Sequence, residues 1–465
     1  MKRKPIALLP ALSLPLALAL TLSLSLGAGT SAAAAPDSPP PGTAAPVPDR
    51  DAGVVRALDR AAHPLRSAEP SGPLDDLRPL GRIVGDARVA GLGEATHGSH
   101  EFFALKQRVF RHLVQERGFR TFALEAPWST GLRLDDYVRY GKGDPERILR
   151  EDFQDAYLLW NNRENLSLLR WMRSWNLAHP QDPVRFLGND VSWSGPGLYD
   201  RVLGYVRTAH PAVLPRLTEL YRGLRPTGAT GPYMRDYLTE PLAVRRAKAE
   251  HARDALELLR RQRPGQGHAA REAYHWAVRN AEVLRQTADQ YAFDYERQDG
   301  VAAAMLFRDR VMAENTVWWQ RNTATKVLLS AHNGHVGYRS NDPRNYPRTQ
   351  GAFLRDRLGN RYVAIGMSFD RGSFLGTAPG DEMTGRNLRR FTVGPAEPGS
   401  NEHTLDRVRH RDFLLDLRTA PPPAADWLRQ ARPTYDIGTA YPAPPHSIAL
   451  ARSYDALVHL HRVRA

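Results

Sequence analysis

A glutamate and a histidine three residues apart lie in the glycine-rich stretch GLGEATHGSHEFF, residues 91–103. The pair, Glu94 and His97, follows an apolar run, and the flanking glycines are expected to let the backbone bend tightly there. A carboxylate bonded to an imidazole fixes its tautomer and raises its basicity, so that the ring can deprotonate water near neutral pH. The spacing therefore predicts a general base and the group that orients it.

Further acid and base residues follow later apolar runs. Glu125 follows TFAL, Asp190 ends VRFLGND, and the run KVLLSAH leads into a pair of histidines. In open α/β sheets, ligands bind at the carboxyl ends of the strands, so we expect these side chains to meet at one edge. The predicted catalytic residues are His97, Glu94, Glu125, His332 and His335.

Four other residues are predicted to bind substrate. Trp128 follows the second apolar run and is expected to form part of an apolar wall. Asp190 ends the third run. Arg108 and Arg310 lie on predicted helices before and after these strands, and an arginine there could polarise a substrate carbonyl.

This residue set favours a hydrolase that activates water, and two other chemistries are its alternatives. A serine nucleophile would need a G-x-S-x-G turn, but GMSFD at residues 366–370 lacks the second glycine. A metal is the stronger rival, because Glu94, His97, His332 and His335 could form a zinc or iron site. Spacing alone does not separate these two, and we expect no obligatory cofactor.

The elements that must position these residues alternate along the chain. Strands are predicted at residues 88–92, 121–127, 184–190, 326–332 and 361–367, and a helix at 100–117. Strands that alternate with helices indicate an α/β fold with a mostly parallel central sheet flanked by helices. Between the third and fourth strands, helical spacing of apolar residues predicts a long inserted helical hairpin, within about residues 200–320.

The first 50 residues differ from the rest. A basic start, a Leu/Ala-rich run and a small-residue exit predict a signal peptide over residues 1–35, cleaved near Ala35. Residues 36–50 form a Pro-rich linker, and residues 51–465 are the α/β domain. We therefore expect a secreted protein without stable membrane insertion.

Composition excludes several classes of function. The chain has no cysteine, which removes disulfides, thiolate catalysis and cysteine-ligated metals. Its formal net charge is +14 at pH 7, but the arginines are interleaved with acids, as in RRAKAEHARDALELLRR. That pattern is typical of a solvated helix face, so we expect a small-molecule ester or lactone as partner rather than nucleic acid. The sequence does not reveal the oligomeric state.

Taken together, several motifs resemble the erythromycin esterase family. They are GEATHGSHEFF, ALEAP, RDRVMAEN, SAHNGHVG, LRDRLGNRYVAIG and YDALVH, and they span roughly residues 80–462. The resemblance implies an α/β core with a helical insertion, and hydrolysis of a macrolide lactone by activated water without a covalent intermediate. It places His97 on the family's general base, Glu94 and Glu125 on its carboxylates, and His332 and His335 on its downstream histidine pair.

The chain also departs from the family's pattern. Family members that cleave macrolides use arginines near the site, whereas here the helix after His97 carries Lys106 and Arg108, and no arginine follows Glu125 until Arg133. A signal peptide is a second departure, because such esterases are usually cytoplasmic. The family includes members associated with exopolysaccharide biosynthesis. A third alternative is therefore a non-catalytic or polysaccharide-related protein that keeps the cleft.

Overall fold

The computed structural model of the protein describes residues 51–465. The predicted signal peptide and linker, residues 1–35 and 36–50, lie outside the described residues and stay predictions. The strands of the described part are β1 His63–Pro64, β2 Val89–Leu92, β3 Phe119–Pro127, β4 Arg185–Asp190, β5 Lys326–Ser330, β6 Tyr362–Gly376, β7 Arg389–Val393, β8 Phe413–Asp416, β9 Arg432–Thr434, β10 His446–Ile448 and β11 Ala456–Val463.

Helices cover both faces and fill the long connections. They are α1 Ala52–Ala61, α2 Arg78–Val84, α3 His100–Arg117, α4 Trp128–Tyr140, α5 Pro145–Asp152, α6 Arg163–Ala178, α7 Pro196–Ala209, α8 Leu214–Leu220, α9 Thr230–Thr239, α10 Leu242–Arg260, α11 His268–Tyr291, α12 Gln298–Thr323, α13 Asn333–Val336, α14 Gln350–Leu358, α15 Asn401–Leu405, α16 Ala424–Leu428 and α17 Leu450–Ser453. Short 3₁₀ helices lie at Asp75–Leu77, Asp155–Trp160, Pro211–Val213 and Gly359–Arg361.

One large sheet organises the molecule. Its strand order is β1-β8-β11-β6-β2-β5-β3-β4, and β7 pairs with β6. The six strands from β11 to β4 are parallel to their neighbours. Strands β1, β8 and β7 add antiparallel pairs, and β9 and β10 form a separate two-stranded sheet. The predicted α/β fold with a mostly parallel sheet is confirmed.

The five predicted strands are β2 to β6, and only the last differs much in length. β6 was predicted to end at residue 367, but it continues to Gly376. Its extension alternates buried and half-buried side chains and pairs with β7. The second half of β6 alternates with period two and has no continuous apolar run. The apolar run in the sequence therefore predicted only the first, fully buried half of the strand.

The strand register places the predicted acid and base residues at the same height along the strands. Ser330 of β5 lies opposite both Leu92 of β2 and Leu124 of β3. The residues that come one or two positions later on these three strands therefore meet just beyond the carboxyl edge of the sheet. These residues are Glu94, Glu125 and His332.

Alternate residues of the strands pack into two cores, one on each face of the sheet. On β5, Val327 and Leu329 belong to one buried cluster, and Leu328 belongs to the other. Both faces are covered by helices, which explains why the central strands are continuously apolar in sequence. The result is a rigid platform below the carboxyl edge.

The predicted helical hairpin is present between β4 and β5. Helices α10 and α11 share one buried cluster through residues such as Leu256 and Leu284, and α12 leads from the hairpin into β5. Among residues 51–465, no helix combines the length and the apolar character needed to cross a bilayer.

Candidate active site

The loop between β2 and α3 is held closely by its neighbours. A Cβ on Gly93 would lie 2.0 Å from Asn333 Oδ1, and a Cβ on Gly98 would lie 2.0 Å from the carbonyl oxygen of Leu375. Neither glycine has a positive φ. The expected bend is present, with a turn at His97 and Gly98, but it does not need the left-handed conformation that only glycine adopts easily. The two glycines are needed because other backbone and side-chain atoms approach too closely for any side chain.

Glu94 is shared between His97 and a buried lysine. His97 Nδ1 lies 3.1 Å from Glu94 Oε1, and Lys106 Nζ forms an ion pair with Glu94 Oε2. Lys106 also donates to Ser330 Oγ at 2.9 Å. Burial lowers the pKa of Lys106 well below its usual range, and Glu125 opposes that shift. The ion pair keeps the glutamate fixed against the imidazole.

His97 is held as a neutral ring. Burial lowers its pKa to about 4, against the opposing effect of Glu125. Because Glu94 can only accept a hydrogen bond, Nδ1 carries the ring proton, and Nε2 presents a lone pair. This is the protonation state that a general base requires.

Glu125 lies in a row of alternating charges. Its Oε1 is 2.8 Å from Arg308 Nη2 and 3.3 Å from His335 Nε2. Arg308 Nη2 also donates to Asp190 Oδ2 at 2.6 Å, and His335 Nδ1 lies 2.7 Å from Asp309 Oδ1. Each charge in this row therefore has at least one partner of opposite sign.

This row fixes the protonation of its members. Burial lowers the pKa of His335, but Asp309 and Glu125 more than offset it and raise that pKa to about 10. Burial opposes ionisation of Glu125 too, yet His335 and Arg308 hold its pKa well below the usual range. At neutral pH we therefore expect an anionic Glu125 and a cationic His335.

His332 differs from His335 although the two are only three residues apart. Its Nδ1 accepts from the backbone N–H of Gly334 at 3.2 Å, so Nε2 carries the proton. Burial lowers its pKa to about 4, and its ring centre lies 5.1 Å from that of His97. Nε2 is 3.2 Å from Asp436 Oδ1, but it makes no hydrogen bond within the described residues. His332 thus offers an unused N–H beside the general base.

An aromatic side chain that sequence reasoning did not select covers His97. The ring centre of Trp160 lies 4.7 Å from that of His97. Trp160 belongs to the 3₁₀ helix that also places the Tyr157 hydroxyl 2.8 Å from Asp190 Oδ2. This short element therefore forms the apolar wall of the site.

The structure brings together six of the nine predicted site residues, and three lie elsewhere. The six are Glu94, His97, Glu125, Asp190, His332 and His335.

Arg108 and Arg310 lie on the faces of their helices that point away from the site. Arg108 forms an ion pair with Asp76 and binds the backbone around it, whereas Lys106 reaches the site. Arg310 is exposed, and Arg308 reaches the site instead. Two positions along a helix correspond to a rotation of about 200°, so each predicted arginine lies on the face opposite to the cation that reaches the site.

Trp128 is a core residue and not a wall of the cleft. It is fully buried, its Nε1 donates to Asn280 Oδ1 at 3.1 Å, and its ring packs against Trp318 and Trp319. It therefore anchors the inserted helices to the end of β3.

The fit to a metal can be tested on the donor atoms. Donors of Glu94, His97 and Glu125 lie within 4.8 Å of one another. The set expected from sequence, Glu94, His97, His332 and His335, fits less well, because both ring nitrogens of His335 already contact Asp309, Glu125 or Arg308. Lys106 and Arg308 neutralise the two glutamates, which favours a site that works with water alone.

The sequence model of the erythromycin esterase family matches residues 114–463. The chain belongs to this family. Erythromycin esterase type II of Escherichia coli is 25% identical over 386 residues, 77% of this chain and 87% of that protein. A crystal structure from Bacillus cereus is 28% identical with a TM-score of 0.77, covering 90% of this chain and 98% of that one. A crystal structure described as a succinoglycan biosynthesis protein is 28% identical with a TM-score of 0.76, covering 88% and 97%.

Membership of this family supports a hydrolase of the esterase class acting on a small molecule. The family does not settle which residues complete the site. Sequence reasoning missed the roles of five residues. Only the cations on helices gave a signal, because Lys106 and Arg308 each lie two positions before a predicted arginine. The five are Lys106, Trp160, Arg308, Asp309 and Asp436.

Proposed function

We propose that the protein is a metal-independent carboxylic ester hydrolase in which His97 activates the attacking water. The observation that supports this most is the neutral His97 ring held on Glu94 through Nδ1, with a bare Nε2. Glu94 and Glu125 would stabilise the imidazolium that forms when the ring takes a proton. Lys106 holds Glu94 in place through their ion pair.

The proposed reaction needs no covalent enzyme intermediate. The water oxygen attacks the ester carbonyl carbon while its proton moves to His97 Nε2. The carbonyl oxygen becomes an oxyanion, for which the unpartnered Nε2–H of His332 is the donor. When the carbon–oxygen bond to the alcohol breaks, the His97 imidazolium returns its proton to the leaving alkoxide.

His335 has a different role in this proposal. Both of its nitrogens face other protein groups, so it is a positioning residue that keeps Glu125 anionic and aligned. Arg308 does the same from the other side and ties Glu125 to Asp190. Of the two predicted histidines, His332 is therefore the one that contacts substrate.

The substrate remains a proposal at the level of class. We infer a small-molecule ester or macrolactone, and resistance to macrolides would follow only if a macrolide proves to be a substrate. The site is largely enclosed, since the His332 and Arg308 side chains are only 14% and 13% exposed. The resemblance to a succinoglycan biosynthesis protein supports an ester on a polysaccharide as the second candidate.

The deciding experiment measures kcat/KM on a panel of simple esters, acylated polysaccharides and macrolides, with and without EDTA. We expect turnover that EDTA does not change. His97→Gln should lower kcat/KM by about 10²–10⁴-fold. The matched control is His100→Gln, because His100 pairs with Glu69 and Glu164 outside the site and should leave kcat/KM unchanged.

Three results would contradict the proposal. Full activity of His97→Gln would show that His97 is not the general base. Activity lost in EDTA and restored by Zn²⁺ would favour a metal at Glu94, His97 and Glu125. Saturable binding without turnover would favour a non-catalytic polysaccharide-binding protein.

We also propose that the mature protein acts outside the cytoplasm, on the basis of residues 1–35 alone. Expression in a native-like bacterial host should release protein whose N-terminal sequence begins close to Pro36. Intact Met1 on a cell-retained protein would refute this.

A further inference from the structure

A second group of histidines and aspartates lies on the neighbouring strands β6 and β11 and directly after α15. We call Asp370, Asp406, His459 and His461 the β11 cluster. His459 and His461 are on one face of β11, and Asp370 is on the neighbouring parallel strand β6. Asp406 is the C-cap residue directly after α15. None of these residues has a role in the proposed esterase mechanism.

The donor atoms of three members of this cluster converge, and His459 lies beside one of them, Asp406. Asp406 Oδ1 lies 2.7 Å from His461 Nδ1 and 3.5 Å from His459 Nε2. Donors of Asp370, Asp406 and His461 all lie within 4.8 Å of one another. Ligands of a tetrahedral Zn²⁺ at its usual bond lengths are about 3.4 Å apart. The His459–Asp406 distance already matches this, and only the hydrogen-bonded His461–Asp406 pair must open.

His459 gives the independent observation that points to a ligand. It is completely buried, and its Nε2 has no hydrogen-bond partner among the described residues although it faces Asp406. Its other nitrogen, Nδ1, lies 3.0 Å from Ser368 Oγ. Metal-bound histidines typically donate their second N–H to such an oxygen, which fixes the ring and leaves Nε2 for the metal.

We propose that Asp406, His459 and His461, with Asp370 as the fourth ligand, bind one divalent transition-metal ion of the Zn²⁺ class. Two imidazoles and two carboxylates form a mixed nitrogen and oxygen set that suits Zn²⁺ rather than Ca²⁺ or Mg²⁺. The ion joins the last strand of the chain to β6 and to the end of α15. Its role is structural, since it stabilises the folded state that contains the site.

The charges around the cluster are consistent with this proposal. Arg371 Nε lies 2.6 Å from Asp370 Oδ2, and its Nη2 lies 3.4 Å from Asp406 Oδ2, so it neutralises the outer carboxylate oxygens. Arg371 is 36% exposed and can swing away. Asp412 accepts the backbone N–H of His461 at 2.8 Å and adds a further negative charge. Arg371 therefore competes with a cation for the cluster, and Asp412 favours one.

The test uses Zn²⁺ alone on tag-free, chelator-treated full-length protein, with affinity measured by competition against a fluorescent zinc indicator. We expect one Zn²⁺ per chain and a rise in Tm on its addition. Asp406→Asn and His461→Gln should each weaken binding by more than about 100-fold. Both side chains are partly exposed, so these variants should fold even if His459→Gln does not.

Two further variants distinguish this site from the esterase site and from a plain hydrogen-bond network. His97→Gln should bind Zn²⁺ as the wild type does. Arg371→Gln should bind it more tightly, because the competing cation is gone. Co²⁺ in place of zinc should give the visible d–d absorption of a four-coordinate site. Absence of binding, or binding lost in His97→Gln but kept in His461→Gln, would overturn the proposal.

Discussion

The active-site cluster and the β11 cluster both combine histidines with carboxylates but differ in their cations. We use active-site cluster for Glu94, His97, Glu125, His332 and His335 with Lys106 and Arg308. There, Lys106 pairs with Glu94 and Arg308 with Glu125, and both cations are nearly or fully enclosed by protein. In the β11 cluster the corresponding cation is Arg371, which is 36% exposed and touches only the outer oxygens of the aspartates.

The difference teaches what decides the chemistry of a histidine–carboxylate cluster. Where Lys106 and Arg308 pair with the two glutamates, His97 stays neutral and can move a proton, whereas His335 is cationic. Nε2 of His332 and Nε2 of His459 both lack a hydrogen-bond partner among the described residues, but the cation of the β11 cluster, Arg371, is partly exposed, so an external cation can take its place there. Both regions combine histidines with carboxylates, so we infer that the placement of the cations carries the distinction.

The largest effect is expected when a fixed cation is removed from each cluster. Lys106→Met leaves Glu94 buried without its partner, which should cost about 3–5 kcal/mol of unfolding free energy. Arg371→Met removes a half-exposed pair and should cost less than about 1 kcal/mol. Urea unfolding of both variants measures this. Equal destabilisation would remove the contrast between the clusters.

A smaller effect is expected when the charge of Arg308 is kept but its geometry is lost. Arg308→Lys cannot bind Glu125 and Asp190 at once, so kcat/KM should fall about 10–100-fold while Tm changes little. Arg310→Lys is the matched control, because that residue is exposed two positions later. If both variants behave alike, Arg308 does not align Glu125.

The pH dependence separates His97 from His335. With a pKa of about 4, His97 loses its lone pair only in acid, so kcat/KM should be flat near neutrality and fall below about pH 4. Both His97 and His332 have lowered pKa values, so their contribution to stability is present above pH 6.5 and is lost as pH falls through about 4.

The pKa of His335 is shifted in the opposite direction. Its pKa is raised to about 10, so its contribution is complete below pH 6.5 and is lost as pH rises through about 10. His335→Gln should therefore flatten the alkaline limb of a Tm profile and leave the acid limb unchanged. An unaltered alkaline limb would show that this imidazole is neutral.

Much of the fold and the inner site could be predicted from sequence. Continuous apolar runs mark buried parallel strands, and parallel strands place their carboxyl ends together, so Glu94, Glu125 and the two downstream histidines could be grouped without coordinates. The period-two half of β6 and the short antiparallel strands could not be found in this way, because they lack such runs.

Side-chain direction on helices was the main limit. Helices α3 and α12 each carry two cationic residues that are two positions apart. Both helices are buried on several sides, so an apolar stripe in the sequence does not show which face meets the edge of the sheet. Lys106 and Arg308 were therefore not distinguished from Arg108 and Arg310. Asp436 lies in a loop and Trp160 in a short 3₁₀ helix, both from other parts of the chain, and no local pattern identifies such long-range contacts.

The smallest effect concerns Trp160, which the active-site cluster has and the β11 cluster lacks. Its ring covers His97, and its buried Nε1 has no hydrogen-bond partner in residues 51–465. Trp160→Phe keeps an apolar wall but removes that donor and some volume, so bulky esters should gain about 3–10-fold in kcat/KM relative to small ones. Trp128→Phe, in the core, should change Tm without changing this ratio. If Trp160→Phe leaves the ratio of bulky to small esters unchanged, the wall that selects the substrate lies elsewhere on the cleft.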